Sequence, residues 1–473
     1  MTTEQQTAGL LTLHFLPFAA AMYSKFTLEH YRSFAEEQTL NFAAPRGGEG
    51  SGITYIVGEN NSGKTTVIEG LRLQGNKMIR ASEMRAEGNP TFKLYDPENV
   101  LKRDVRLVRS GSYQLKADPD LGPDDVFEII PSRRHWNSNV GHAYSPQMIA
   151  DSSVEVEVRG QQPDHIFSSA LEIIEKSEED YSIFIALVKR VLPSFTMFAT
   201  GFEDQKFIEY GTSDGKRHRA DFLGDGVISV LRILAHLYAE TKRPLVIDEP
   251  ELSLHPLAQK RLLKVIAENA KKRQIVISTH SPYFVSWDYI NNGAVVNKVT
   301  KVEDARSQIH SLKLNESYEK LLNGANWQQP FLMDVVAKEI FFHDNFLFVE
   351  GQEDVGLLKQ DGQLNDEINL FGYGVRGKNA FKFALKLAND LGIKNAAVIL
   401  DMGESESQIK ASLERDFPEY KIVQWQKEDI RDKDEYRSKA KKGYFTTKGE
   451  KKSAEELDDY DEKIRILNEY FGR

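Results

Sequence analysis

The sequence predicts an α/β protein of two successive units, each a mostly parallel sheet wrapped by helices, with a long helical insertion in the first. Three observations carry that prediction. Short apolar runs at Leu245–Ile247 and Ile275–Ser278 alternate with longer amphipathic stretches at Leu223–Ala239 and Leu257–Asn269, which is how buried parallel strands and their crossover helices read. The alternation restarts late in the chain, with strands at Phe346–Val349, Ile368–Phe371 and Ala396–Leu400 and a helix at Ala380–Leu391. Between about 75 and 220 the pattern breaks into short strands, polar loops and an amphipathic stretch.

The elements follow in order. Leu10–Met22 is apolar but short, contains His14 and Pro17, and follows the acidic Glu4 instead of a basic run. It therefore reads as an extension, neither membrane span nor leader; regular patterning starts at Tyr23, which makes Met22 a candidate start. Lys25–Tyr31 and Thr39–Phe42 read as strands, and Arg46–Gly52 (RGGEGSG) as a hairpin loop leading to the strand Ile53–Val57. Thr65–Leu73 places Val67, Ile68 and Leu71 at helical spacing. The insertion holds strands at Val105–Val108, Val126–Ile130 and Val154–Val158 and one helix near Ile166–Leu192. Residues 290–340 are weakly patterned and read as a brace. The charged last ~50 residues read as helix plus loop, ending in the amphipathic Asp459–Phe471. The units are thus an extension over 1–22, a first domain over 23–340 with its insertion at about 75–220, and a second over 341–473.

Composition bounds the function classes. A chain of 473 residues, 40% hydrophobic, can bury two or three cores. A net charge of −10 and a pI of about 5.7 give no whole-chain attraction to nucleic acid, so any DNA contact needs a local basic groove. The absence of cysteine excludes disulfides, thiolate metal sites and cysteine nucleophiles, and suits a cytoplasmic setting. No apolar run reaches the roughly 18–20 residues of a membrane helix.

Gly58-Glu-Asn60-Asn61-Ser62-Gly63-Lys64-Thr65-Thr66 follows a strand and opens a helix. Its glycines let backbone N–H groups curl round phosphates, while Lys64 reaches the β/γ-phosphates and Thr65 binds Mg²⁺. ATP and Mg²⁺ are the cofactors this implies. Leu245–Ile247 ends in Asp248 and Glu249: the first can hold Mg²⁺ through water and the second can polarise the attacking water. Ile275–Ser278 ends in Thr279-His280-Ser281, and His280 could contact the γ-phosphate if the two strands are neighbours. Leu223-Gly224-Asp225-Gly226 opens a helix, a ready anion site.

Together, in this order, these elements resemble an ABC-type ATPase head over roughly residues 23–290. Glu251-Leu-Ser253-Leu-His255-Pro256 resembles that family's D-loop. The resemblance implies that Leu223–Val227 is the signature motif, that it contacts the γ-phosphate of an opposite head, and that two chains sandwich two ATP molecules. The signature serine is replaced by Gly224, and Gln74 and Gln114 are both candidates for the Q-loop glutamine. Lys25–Phe34, with Arg32 and Ser33, and Ile130-Pro131-Ser132-Arg133-Arg134 resemble the soluble, DNA-associated branch of such heads.

In the second unit Phe346–Val349 runs into Glu350-Gly351, with Asp354 four residues past the glutamate, and Ala396–Leu400 ends in Asp401. Parallel strands ending in acids gather them at one sheet edge, where a divalent metal can bind. The pair resembles a Toprim domain, and a head followed by Toprim is the arrangement of the OLD (overcoming lysogenisation defect) family of nucleases. Gly374–Asn379, Lys427–Ile430 and Lys441–Gly443 add to that resemblance. It implies an ABC-type head followed by a Toprim-like domain that cuts DNA in anti-phage defence. Glu350, Asp354 and Asp401 would hold Mg²⁺ or Mn²⁺, and Lys442 would stabilise phosphate charge. It also implies a homodimer or larger homo-oligomer through the heads, and leaves room for a defence partner protein or an RNA or DNA element. Toprim domains carry Asp-x-Asp on the last strand, whereas this chain reads Asp401-Met402-Gly403. Glu404 or Glu406 substituting, a one-metal site, and a non-cleaving domain that binds a partner all stay open.

Overall fold

The computed structural model describes residues 22–75, 88–110, 112–118, 126–132, 162–202, 206–219, 225–239, 243–302, 306–312, 336–372, 381–434 and 440–472. A six-stranded sheet organises the first unit, in the order 307–312, 295–301, 53–57, 275–278, 245–248, 128–130; all but the first strand are parallel. Ile53–Val57 is buried along its whole length because both faces are covered. Ile53, Tyr55 and Val57 point into a core shared with the helices Asp225–Tyr238 and Pro256–Asn269. On the opposite face Ile56 joins Val67, Ile68 and Leu71 of the helix Lys64–Arg72. That helix lies under a five-stranded antiparallel sheet, ordered 38–41, 25–29, 91–95, 101–110, 112–118, whose Phe26, Leu40, Phe92 and Val105 close the second core.

Several local expectations change. The first strand stops at Glu29 because His30 and Arg32 take positive φ, 53° and 46°, and turn the chain. Arg46–Gly52 is no hairpin loop: the strands it joins belong to different sheets, and the segment crosses between them with Gly52 pressed against the carbonyls of Ala270 and Arg273. The helix expected over Ile166–Leu192 is two, Gln162–Lys176 and Glu178–Val191, parted where Ser177 accepts the Asp180 N–H as an N-cap. The insertion is mixed, with strands of the antiparallel sheet and a three-stranded antiparallel sheet (217–219, 206–212, 195–202) beside its helices. Val154–Val158 lies outside the described residues, as do residues 1–21. The brace at 290–340 contains two unexpected strands, Val295–Lys301 and Ser307–Leu312, which extend the central sheet.

The second unit is a four-stranded all-parallel sheet, ordered 369–371, 345–348, 395–400, 421–424, with the helices Gln352–Asp361, Phe381–Asp390, Glu404–Asp416 and Asp458–Phe471. Its Phe346, Phe348, Val398 and Leu400 belong to the same core as Tyr55 and Trp287 of the head, and Trp287 packs on Phe341 with ring centroids 4.9 Å apart. The sequence boundary at 340/341 thus runs through continuous apolar packing. A buried ion pair sits there too. Lys298, fully enclosed and paired in register with Val57, bridges Asp344 at 2.7 Å and donates to the carbonyls of His343 and Ile340. Among the described residues no helix is long and apolar enough to cross a membrane.

Candidate functional site

The phosphate loop is shaped from behind. Gly58 and Gly63 have φ of 137° and 117°, and Asn61 sits at 61°. A Cβ on Gly58 would lie 2.2 Å from the Val299 carbonyl oxygen, and one on Gly63 2.8 Å from Ser307 Oγ, so glycine is required twice over at each. Ser307 Oγ donates to the Ser62 carbonyl at 2.5 Å, and the Ser307 N–H to the Ser33 carbonyl at 2.9 Å. The two strands absent from the sequence reading therefore form the loop's backing.

Lys64 is buried, and its ammonium donates to the carbonyls of Gly58 and Glu59 at 2.9 and 2.6 Å. Burial lowers its pKa to about 8 against the opposing pull of Glu249, Asp248, Glu251 and Glu59. Asp248 and Ser278 end neighbouring parallel strands in register, so Glu249 and His280 emerge side by side. Glu249 takes a positive φ of 48° while its N–H donates to the Ser278 carbonyl at 2.8 Å, and His280 Nε2 lies 3.5 Å from Glu249 Oε1. Burial, and secondarily Lys64, lowers His280 to about 4, so at neutral pH a neutral imidazole faces the carboxylate. These side chains border a cavity of about 540 Å³, which Asn60, Asn61, Gly63, Thr65 and Thr66 also line. Thr65 and Asp248 carry the kind of oxygen donors that would suit a phosphate-bound Mg²⁺.

Arg32 and Ser33 line the same cavity. The sequence reading used them only as marks of resemblance; the strand-ending turn at His30–Arg32 brings them to the loop. Glu251 was likewise treated only as part of a D-loop. Ser62 is buried at the base of the loop. Leu223 and Gly224 lie outside the described residues, and the helix begins at Asp225. Gly226 abuts its own chain: a Cβ there would sit 2.5 Å from the Ser253 carbonyl oxygen. Gln74 is buried at the end of the loop helix, its amide 3.5 Å from the Gly70 carbonyl; the side chain of Gln114, and Arg133 and Arg134, fall outside the described set.

In the second unit Glu350 and Asp401 emerge from adjacent parallel strands, and the Asp401 N–H donates to Glu350 Oε1 at 3.3 Å. Asp354 caps its helix, accepting the Gly351 N–H at 2.8 Å. Burial, then Asp429 and Glu350, raises Asp354 to about 7; burial, Glu350, Asp354 and Asp429 raise Asp401 to about 8, with Lys441 opposing. Asp429 is the fourth acid of this group. It is buried and contacts Lys433 at 2.7 Å and Lys441 at 3.3 Å; the sequence signal was its place in Lys427–Ile430, noted but given no role. Lys433 and Lys441 face the acids, whereas Lys442 lies beside Asp432. Glu404 is exposed on the first turn of its helix, and the Glu406 carboxylate folds back over Gly403. Among the described residues no three His, Asp or Glu converge closely enough to hold a metal ion. The donor chemistry fits a cation, since acids driven toward their neutral form by burial and by one another gain from a positive charge. Gly374–Asn379 lies outside the described residues.

Comparison with known proteins agrees on the head. An "AAA domain" family model matches residues 25–182, and a second, described as "AAA domain, putative AbiEii toxin, Type IV TA system", matches residues 156–286. The chain carries an AAA/ABC-type ATPase domain. This ATPase is also 33% identical over 112 residues to the OLD nuclease of Thermus scotoductus (strain ATCC 700910 / SA-01), which is 23% of this chain and 20% of that protein. To endonuclease GajA of Bacillus cereus (strain HuB5-5) it is 27% identical over 143 residues, 26% and 21% of the two chains. The match thus spans about a fifth of the length of each relative. Among solved structures, the SMC head domain from Thermotoga maritima aligns over 62% of this chain and all of that one, with a TM-score of 0.36 and 15% identity. An SMC head bound to the C-terminal winged-helix domain of ScpA aligns over 63% and all, with a TM-score of 0.42 and 14% identity.

Proposed function

We propose that this chain is an ATP-regulated, divalent-metal-dependent DNA endonuclease that works as a homodimer of ATPase heads in anti-phage defence. The observation that carries the nuclease half is the acid set at the edge of the second sheet. Glu350, Asp354, Asp401 and Asp429 lie at one sheet edge, and Lys433 and Lys441, both against Asp429, stand beside them to meet a phosphate. Mg²⁺ or Mn²⁺ held by Glu350, Asp354 and Asp401 would neutralise charge on a cleaved phosphodiester. Partial similarity to two proteins named as nucleases supports the same reading.

In the head, Lys64 leaves the Gly58 and Glu59 carbonyls for the β/γ-phosphates, and Thr65 and Asp248 would hold a Mg²⁺ that would supply charge neutralisation at the phosphates. Glu249 accepts the proton of the attacking water, and the neutral His280 donates a hydrogen bond toward the γ-phosphate. Nucleotide state reaches the acids by a short route. Lys298 lies in register with Val57 just before the phosphate loop, and its partner Asp344 precedes the strand Asn345–Phe348, two residues past which stands Glu350. Asp344 also raises the pKa of Glu59 within the loop, after burial.

One observation favours a second reading, an ATPase sensor or scaffold whose second unit binds DNA or protein without cutting. Gly403 stands where the second acid of Asp-x-Asp would be expected, and no three acids converge among the described residues. Plasmid cleavage by the purified chain in Mg²⁺ or Mn²⁺, with and without ATP, separates the two. Cleavage that disappears in Glu350→Ala while ATP turnover persists supports the nuclease; equal, background-level nicking by both proteins leaves the scaffold.

A further inference from the structure

We infer that Glu251 is the positioning residue of the ATP site, holding the backbone of His280 and thereby its imidazole against Glu249. The inference rests on the ATPase reading of the head. Three residues past Asp248 the chain folds back sharply: Glu249 and Ser253 both take positive φ, 48° and 60°, and the Leu254 N–H donates to the Glu251 carbonyl at 3.0 Å. The fold-back carries the Glu251 side chain across to the end of the neighbouring strand. There Oε1 accepts the His280 N–H at 2.6 Å, and the Thr279 hydroxyl also bonds the carboxylate. Oε2 is shielded from solvent.

An acid enclosed in this way is costly unless its bond does something a smaller acceptor could not. Reach is what distinguishes it: a side chain of this length spans from the turn to the His280 amide. A second tie fixes the same two segments. Gln259 donates to the Leu254 carbonyl at 2.8 Å and accepts from Ser281 Oγ at 2.6 Å. Thr279 is itself anchored to the phosphate-loop strand, its N–H donating to the Ile56 carbonyl at 3.1 Å. The ring of His280 is therefore placed by a backbone held from the loop strand, the helix Pro256–Asn269 and Glu251 together. Glu251 touches neither phosphate nor water in this scheme and acts through His280.

The test uses the full chain with ATP and Mg²⁺, reading ATP affinity, KM and kcat for Glu251→Gln, Glu251→Asp and Glu251→Ala, each also in a His280→Ala background. Glu251→Gln keeps the acceptor at the same reach and should hold kcat within about threefold of wild type. Glu251→Asp keeps the charge but falls one methylene short, and should lower kcat by about tenfold or more with KM and ATP affinity little changed. In the His280→Ala background the Asp substitution should cost less than about twofold, because coupled residues are not additive. An active Asp variant beside an inactive Gln variant would overturn the inference in favour of a charge role. So would equal costs in both backgrounds, or loss of ATP affinity in step with kcat. Should Glu251→Ala not fold, the Gln and Asp pair decides alone. Turnover in the wild type no faster than in Lys64→Ala removes the ATPase reading and this inference together, and that control tells the case apart from failure of Glu251 only.

Discussion

At the carboxyl edge of the head's sheet, Asp248 and Glu249 face Lys64, a cation so enclosed that burial drags it to about 8 against the pull of both acids. At the carboxyl edge of the second sheet, Glu350, Asp354, Asp401 and Asp429 lie beside one another, and burial first, then the neighbouring acids, pushes Asp354 and Asp401 up to about 7 and 8. Both edges use parallel strands to gather acids. The head's acids come with their own counter-charge and a rigid loop, so their geometry is set before any ligand arrives. The second set has Lys433 and Lys441 against Asp429, while burial holds Asp354 and Asp401 toward their protonated form. The contrast separates a site that is preorganised from one that is poised.

Removing a member of the preorganised site should therefore have the largest effect. Glu249→Gln takes away the proposed base and the nearest charge opposing the burial of Lys64, and hydrolysis should fall by about 100- to 10,000-fold while ATP still binds. Nucleotide affinity and turnover measured on one preparation check this. A drop of less than about tenfold would mean that some other group takes the proton, and the head's apparent completeness would be misleading.

The joint between the two regions comes next. Asp344→Asn strands the Lys298 ammonium in the core with only the His343 and Ile340 carbonyls. Breaking one side of a buried pair costs roughly 3–5 kcal/mol; Asp344 keeps about a third of its surface, 31%, so the loss should fall toward or below the low end of that range. Denaturant unfolding reads the cost, and the ATP-dependence of DNA cleavage reads the coupling. A variant as stable and as ATP-responsive as wild type would break the link drawn between the regions.

Legibility in the sequence followed the same divide. The loop Gly58–Thr66, the acids Asp248 and Glu249, and His280 were readable because contiguous residues at strand ends set their geometry. The backing of that loop was not: Val295–Lys301 mixes polar and apolar residues with no alternation, although the structure buries all but the last of them. Arg46–Gly52 was misread because a glycine-rich link between two strands looks the same whether the strands pair or part. Asp429 and Lys441 stayed hidden for a further reason. They reach the acids from irregular chain, where bridges such as Lys433 to Lys441 and Arg431 to Phe445 have no periodicity to betray them.

The smallest effect is the one that most directly examines the poised site. Asp354 and Asp401 have folded pKa values of about 7 and about 8, above the ordinary aspartate value near 4, so folding takes up protons at this edge. Stability from this source is fully present below the unfolded pKa and is lost as pH rises through about 7 to 8. The wild type should accordingly melt lower at about pH 9 than at about pH 6, with acid-range unfolding of other groups kept out of the window. Asp401→Asn mimics the protonated acid and relieves its neighbours, so it should flatten that slope by a few degrees at most, because four coupled acids share the effect. Added Mn²⁺ should raise the wild-type melting temperature more at about pH 9 than at about pH 6 and do less for Asp401→Asn. If Mn²⁺ stabilises both proteins equally at both pH values, the acids are not its site, and the second edge is an internally repelling surface with no cation to settle it.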